Sequence, residues 1–218
     1  MTRHIIACGG DGWPTDPGRP AMEERILGAA RRDNPRVLLL PTASGDSDHL
    51  ITRFYEFFTP RGCRPDHLAL FRPHPRRVDL AAQDVVYVGG GSTLNLMALL
   101  ELHGLADPLR AAYHAGTVMS GVSAGAICWF RAGLSNSGGA GFAPVAGLGL
   151  LPDGVCPHAD GDPARIPALE REVTAGRMPA SYALDDGAAL VFADERLVEV
   201  VSARPGRGAR RLEPGDGG

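Results

Sequence analysis

The sequence predicts an α/β fold, with a mostly parallel central sheet, helices on both of its faces, and antiparallel strands at the C-terminal end. Three observations carry this expectation. Short apolar runs ended by glycine or turn residues recur between residues 4 and 123, segments of helical period lie between them, and the pattern changes after about residue 180. Apolar strands separated by helices are the mark of a parallel sheet buried on both sides.

HIIACGG (4–10) reads as the first strand and RVLLLPT (36–42) as a second, fully buried one. PDHLALF (65–71), DVVYVGGG (84–91) and TVMSGVS (117–123) follow. Helices are expected near 20–33, 47–59, 92–101 and 105–114. The stretch YALDDGAALVFADERLVEVVSA (182–203) reads as hairpin-connected antiparallel strands. The tail RPGRGARRLEPGDGG (204–218), rich in Gly, Arg and Pro, should fray at its end. No repeat or long linker divides the chain, so residues 1–218 are expected to form one domain.

Composition narrows the function. With 44% hydrophobic residues, 22% charged residues and a net charge of -3, the chain offers no electrostatic case for nucleic acid or a membrane surface. A small molecule or short peptide is the expected partner, for a monomer or a homodimer. The opening MTRHIIACGGDGWP has neither a long apolar core nor a small-residue cleavage site, so no signal peptide is read there. No stretch approaches the about 18 apolar residues of a spanning helix. Cys8, Cys63, Cys128 and Cys156 are far apart and form no CxxC pair, which fits reduced, packed thiols in a cytoplasmic protein. The seven histidines lack ligand spacing, so no metal is expected.

In parallel sheets ligands bind beyond the carboxyl ends of the strands. Three loops on that rim are unusually rich in glycine: Gly9-Gly10-Asp11-Gly12, Gly89-Gly90-Gly91-Ser92-Thr93, and Gly121-Val122-Ser123-Ala124-Gly125. The last has the G-x-S-x-G form of a nucleophilic serine on a strained strand-to-helix turn, and equally of a tight turn filled with small residues. A nucleophilic serine needs a base, and the base needs an orienting group. Only His158 lies downstream of Ser123; His4, His49, His67, His74, His103 and His114 precede it and are read as structural or solvated. Only Asp153 lies between Ser123 and His158, five residues before the histidine, which makes a serine–acid–histidine order unattractive. Serine, histidine, then acid fits better, because Asp185 and Asp186 follow at a strand end. Asp160 and Asp162 read as turn or cap residues. If Asp185 and Asp186 are extended, their side chains point to opposite faces and only one can meet His158. Backbone N–H groups of Ala124 and of Gly91, at the end of the GGG turn, are candidate oxyanion donors. That turn alone could also cradle a phosphate, but no Walker lysine follows it and GxGxxG is absent.

VGGGSTLNLM (88–97), GVSAGAICW (121–129), GLGLLPDGVCPH (147–158) and YALDDGAAL (182–190) together resemble the peptidase E (α-aspartyl dipeptidase) family of serine peptidases, to which cyanophycinase is related. The resemblance spans essentially the whole chain. It implies a flavodoxin-like α/β fold akin to class I glutamine amidotransferases, a serine peptidase acting on short peptides, and no cofactor. It assigns the nucleophile to Ser123, the base to His158 and the oxyanion donors to Gly91 and Ala124. The family's triad glutamate, in Leu-Pro-Glu-Gly, falls on Asp186 of Leu184-Asp185-Asp186-Gly187. Aspartate is one methylene shorter, so either the loop moves in or a water bridges to the imidazole. Arginines on the helix after the histidine would read an N-terminal aspartate of the substrate. Arg165 and Arg171 lie in that segment, and Asp185 is a further substrate-binding candidate; the same arginines also suit a solvated face paired with Glu170 or Glu172. Two alternatives stay open: a related hydrolase of β-aspartyl peptides, amides or esters, and a non-catalytic binding member with a broken triad. Cys128, about a turn into an apolar helix, is not expected to act as nucleophile.

Overall fold

The structure, a computed structural model, describes residues 2–72 and 77–215. The N-terminal strands are β1 (His4–Cys8), β2 (Arg36–Leu40), β3 (Arg64–His67), β4 (Val85–Val88) and β5 (Val118–Val122). They are followed by β6 (Phe130–Ser135), β7 (Ala143–Ala146), β8 (Leu151–Cys156), β9 (Ser181–Leu184), β10 (Ala188–Ala193), β11 (Arg196–Ser202) and β12 (Ala209–Leu212). The α-helices are α1 (Ala21–Gly28), α2 (Asp48–Phe58), α3 (Thr93–Leu102), α4 (Ala106–His114), α5 (Ala124–Ile127) and α6 (Arg165–Thr174).

Among the described residues the central sheet has the order β11-β10-β1-β5-β4-β2-β3. Its five N-terminal strands run parallel, and β10 and β11 add an antiparallel hairpin at one edge. Alternation within each strand divides the core. Ile6, Cys8, Val37, Leu39, Val85 and Tyr87 face α1 and α2, while Ile5, Ala7, Leu38, Leu40, Val86 and Val88 face α3, α4 and the second sheet. This is the expected α/β architecture with helices on both faces. Pro65 lies in β3, at the sheet edge, where a missing N–H does least harm.

Ser47 and Ser92 cap α2 and α3, accepting from the N–H groups of Leu50 and Asn95. Two expected boundaries move: the third strand stops at His67 and α1 ends at Gly28. The helix after Ser123 lasts only four residues before β6 begins.

A second sheet, of order β12-β9-β8-β6-β7, was not foreseen in the sequence. Its strands FRAGLS, APVA and LPDGVC carry Pro, Gly and Arg and lack the long apolar runs of the central sheet. It also corrects the reading of 182–203 as one hairpin series. β9 leaves that series to run parallel to β8 in the second sheet, and only β10 and β11 form the hairpin. Asp194 and Glu195 close that hairpin at φ 45° and 61°, as a two-residue turn matched to strand twist demands. None of the helices described is long and apolar enough to cross a membrane.

Candidate active site

Ser123 sits between β5 and α5 with φ 58° and ψ -115°, a conformation that L residues rarely hold. Its N–H donates to the Cys8 carbonyl at 3.1 Å, and its own carbonyl accepts from Ala126 and Ile127 at 2.9 and 3.0 Å. The flanking glycines are required by contact. A Cβ on Gly121 would lie 2.4 Å from the Gly125 carbonyl oxygen, and one on Gly125 would lie 2.0 Å from that of Val88. Strand, helix and neighbouring strand therefore meet backbone to backbone, and the serine side chain is left half-buried at the sheet's carboxyl rim.

His158 follows β8, and Asp186 lies in the turn between β9 and β10. His158 Nε2 is 2.8 Å from Ser123 Oγ, and His158 Nδ1 is 2.5 Å from Asp186 Oδ1. An ionised carboxylate only accepts, so the proton belongs on Nδ1 and Nε2 accepts the Ser123 hydroxyl. The hydrogen bond from His158 holds the Asp186 carboxyl below its ordinary value of 3.8. Burial opposes this, and electrostatic attraction to the His158 ring and to the positive charges of Arg165 and Arg207 assists it. The shorter aspartate thus reaches the imidazole directly. Asp185 turns elsewhere: its Oδ2 accepts the Gly208 N–H at 3.1 Å, and its own N–H donates to the Gly208 carbonyl at 3.0 Å.

The approach of Asp186 depends on Gly10. The loop after β1 is anchored by Trp13, whose N–H donates to the buried Glu23 at 3.1 Å, and by Gly187, whose N–H donates to the Gly10 carbonyl at 3.2 Å. A Cβ on Gly10 would lie 1.9 Å from Asp186 Oδ1 and 2.7 Å from His158 Nδ1. These are side-chain ends that can swing away, so Gly10→Ala should part the acid from the imidazole without dismantling the backbone. We expect labelling of Ser123 by a fluorophosphonate to slow by about 10²-fold, with thermal unfolding shifted far less. An unchanged labelling rate would show that the spacing is not critical.

The GGG turn lies beside the serine: a Cβ on Gly90 would stand 3.3 Å from Ser123 Cβ. Gly89 and Ser92 commit their N–H groups to the Leu40 and Ala43 carbonyls at 2.9 and 2.8 Å, which brackets Gly90 and Gly91. Gly91 holds φ 138°, and a Cβ there would fall 2.1 Å from the Ala43 carbonyl oxygen. Ala124 is the first residue of α5, where an N–H has no intrahelical acceptor.

Of the expected substrate-reading arginines, Arg165 is close to this group. It donates to the Pro157 carbonyl at 3.2 Å, stacks over Phe142 at 4.7 Å, and its buried Nε has no acceptor among the described residues. Arg171 is exposed and pairs with the buried Glu172 at 3.0 Å, as does Arg177 at 2.6 Å. Its contacts belong to α6 and its C-terminal turn, not to Ser123, His158 or Asp186. Cys128 is fully buried, its thiol pushed well up by burial. His67 and His114 bond Tyr55 and Arg3, and His74 lies outside the described residues.

Two contributors escaped the sequence reading. Asp162 does cap a turn, accepting the Ala164 N–H at 2.8 Å, but Asp160 Oδ1 accepts the N–H of Asp186 itself at 2.8 Å. Gly10 was flagged only as part of a glycine-rich rim; nothing in the letters assigns it to the acid.

The sequence profile of peptidase family S51 matches residues 5–200. The chain is 42% identical over 214 residues to the uncharacterized peptidase YgaJ of Bacillus subtilis (strain 168), covering 96% of this chain and 92% of that protein. Among solved structures it resembles a peptidase from an acI-B1 Actinobacterium, with TM-score 0.70 and 19% identity over 99% of this chain and 96% of that one. It also resembles a Listeria monocytogenes EGD-e protein named provisionally as a peptidase E, with TM-score 0.63 and 15% identity over 98% and 100% of the two chains. These two likenesses are of fold. The family profile and the Bacillus relative go further: this chain belongs to peptidase family S51, the peptidase E family.

Proposed function

We propose that the protein is a serine peptidase that hydrolyses short peptides through an acyl-enzyme on Ser123, with dipeptides bearing an N-terminal aspartate as its substrate class. What carries the reading is the unbroken hydrogen-bonded chain from Ser123 Oγ through both imidazole nitrogens of His158 to Asp186 Oδ1, at 2.8 and 2.5 Å. His158 Nε2 takes the Ser123 proton as Oγ bonds to the scissile carbonyl carbon. The tetrahedral oxyanion lies against the Ala124 and Gly91 N–H groups. Its collapse breaks the C–N bond, and His158 returns the proton to the leaving amine. Water then loses a proton to His158 as it attacks the ester carbonyl; the acyl C–Oγ bond breaks, His158 returns that proton to Ser123 Oγ, and the acid is released. Asp186 fixes the tautomer and stabilises the imidazolium throughout. Arg165, a cation beside the site whose Nε finds no hydrogen-bond acceptor among the described residues, supports an acidic substrate side chain. Four buried thiols, none in a disulfide, fit a reducing compartment such as the cytoplasm.

The test combines a fluorophosphonate with a substrate screen. Stoichiometric labelling mapped to Ser123, together with hydrolysis of Asp-X dipeptides, is expected. Absence of labelling would sink the catalytic reading. Labelling with cleavage confined to β-aspartyl dipeptides or esters would keep the nucleophile and overturn the substrate class.

A further inference from the structure

Residues 203–208 cross from β11 in the central sheet to β12 in the second sheet, and on the way they pack against the turn that carries Asp186. Ala203 N–H donates to the Gly187 carbonyl at 2.8 Å. The Arg204 stem lies against Gly187, where a Cβ would stand 3.4 Å from it. The Arg204 guanidinium reaches the other side of the site. It donates to Asp16 at 2.9 Å and stands 3.1 Å from Asp11 Oδ2, a charge contact without hydrogen-bond alignment. Both aspartates belong to the loop that presents Gly10. Arg207 pairs with Asp160 Oδ2, while Asp160 Oδ1 takes the Asp186 N–H at 2.8 Å. The segment therefore ties the Asp186 turn to the Gly10 loop through Arg204 and to the His158 loop through Arg207. It lies beyond residue 200, where the match to the family profile ends.

The charges explain why a cation is needed. Asp160 uses one oxygen to hold the Asp186 backbone, which places a second carboxylate next to the acid that must serve His158. Unpaired, it would repel Asp186 and compete for the imidazolium. Arg207 neutralises it, and its positive charge is among those that hold the Asp186 carboxyl low.

We infer that the 203–208 segment is a clamp that presses the short acid Asp186 against His158, and that Arg207 is a positioning residue for the reaction. The inference rests on the reading of Ser123, His158 and Asp186 as the catalytic array, and its test separates the two. In Arg207→Ala the maximal rate of fluorophosphonate labelling at Ser123 should fall about tenfold, short of the about 10²-fold cost of a fully misplaced group, with the half-saturating concentration unchanged. Arg207→Lys should restore most of the rate. In an Asp160→Asn background, which keeps the acceptor and removes the charge, Arg207→Ala should cost much less. The proton NMR signal of the Nδ1–H of His158, shifted downfield by its bond to Asp186, should weaken in Arg207→Ala and persist in Arg207→Lys. Arg207→Gln, which keeps a stem and a donor, carries the same measurements if the alanine variant does not fold. A wild-type signal and labelling rate in the Arg207 variants overturn the clamp. A wild-type protein that resists labelling while its His158 signal still depends on Arg207 overturns the catalytic reading and leaves the clamp standing.

Discussion

Ser123→Ala should lower peptide hydrolysis on the order of 10⁵–10⁶-fold while the protein keeps its fold. The size follows from what the hydroxyl does. It is the only side chain hydrogen-bonded to His158 Nε2 in the described contacts, and removal leaves the base with nothing to activate but water. Cys128 offers no substitute: it is fully buried, its Sγ donates to the Gly125 carbonyl at 3.2 Å, and burial pushes its thiol well up. The fold should survive because the elbow is held by backbone groups that alanine retains, namely the Ser123 N–H on Cys8 and the Ser123 carbonyl under α5. His158→Ala should cost nearly as much, and the double variant no more than the worse single one, since the pair works as a unit. The measurements are kcat on the best dipeptide found and thermal unfolding of each variant. Activity within tenfold of wild type in Ser123→Ala would show that the reaction does not pass through this residue.

The parts of the molecule that were legible in the letters share a physical cause. VLLL (37–40) and VVYV (85–88) are buried on both faces, so each of their residues must be apolar, and such runs stand out without knowledge of the fold. The G-x-S-x-G turn is legible because its glycines answer to contacts a few residues away or on the adjoining strand. The second sheet was hidden because Arg131, Pro144, Pro152 and Asp153 interrupt strands that need only short ladders. β9 was drawn into a false hairpin because YAL and AALVFA have the same texture, while their different partners, β8 and β1, are fixed elsewhere. The support of the acid was least legible. Gly10 meets Asp186 although they are 176 positions apart in sequence, and Arg207 meets Asp160 although they are 47 apart. No local pattern records such pairings. A glycine at a strand end, a turn aspartate and an arginine in a Gly-rich tail each have an ordinary local explanation, and their joint role appears only when the chain brings them together.

Asp186→Asn should reduce turnover by about 10⁴-fold with the geometry of the site intact. An amide that turns its N–H₂ toward His158 Nδ1 favours the tautomer with the proton on Nε2, where it faces Ser123 and cannot accept. Even with the amide oxygen turned in, the imidazolium loses its counter-charge. The same substitution has a signature in stability. The native Asp186 carboxyl is depressed below 3.8, chiefly by the His158 bond, so its contribution is present above that ordinary value and disappears as pH falls through the lower native one. Thermal unfolding followed from about pH 7 to about pH 3 should therefore show wild type above Asp186→Asn at the upper end, with the gap closing at the acid end. A constant gap would place the stabilisation elsewhere. Asp186→Glu decides whether the shorter acid is a defect or a fitted part. Glutamate is the residue that the family resemblance leads one to expect, yet here the aspartate already lies 2.5 Å from Nδ1, with Gly10 so close behind that even a methyl group would intrude. An added methylene must displace either the imidazole or the Gly10 loop, so we expect a loss of about 10–10² in kcat rather than a gain. A gain would mean that the loop yields readily and that the close packing around Gly10 does not set the position of the acid.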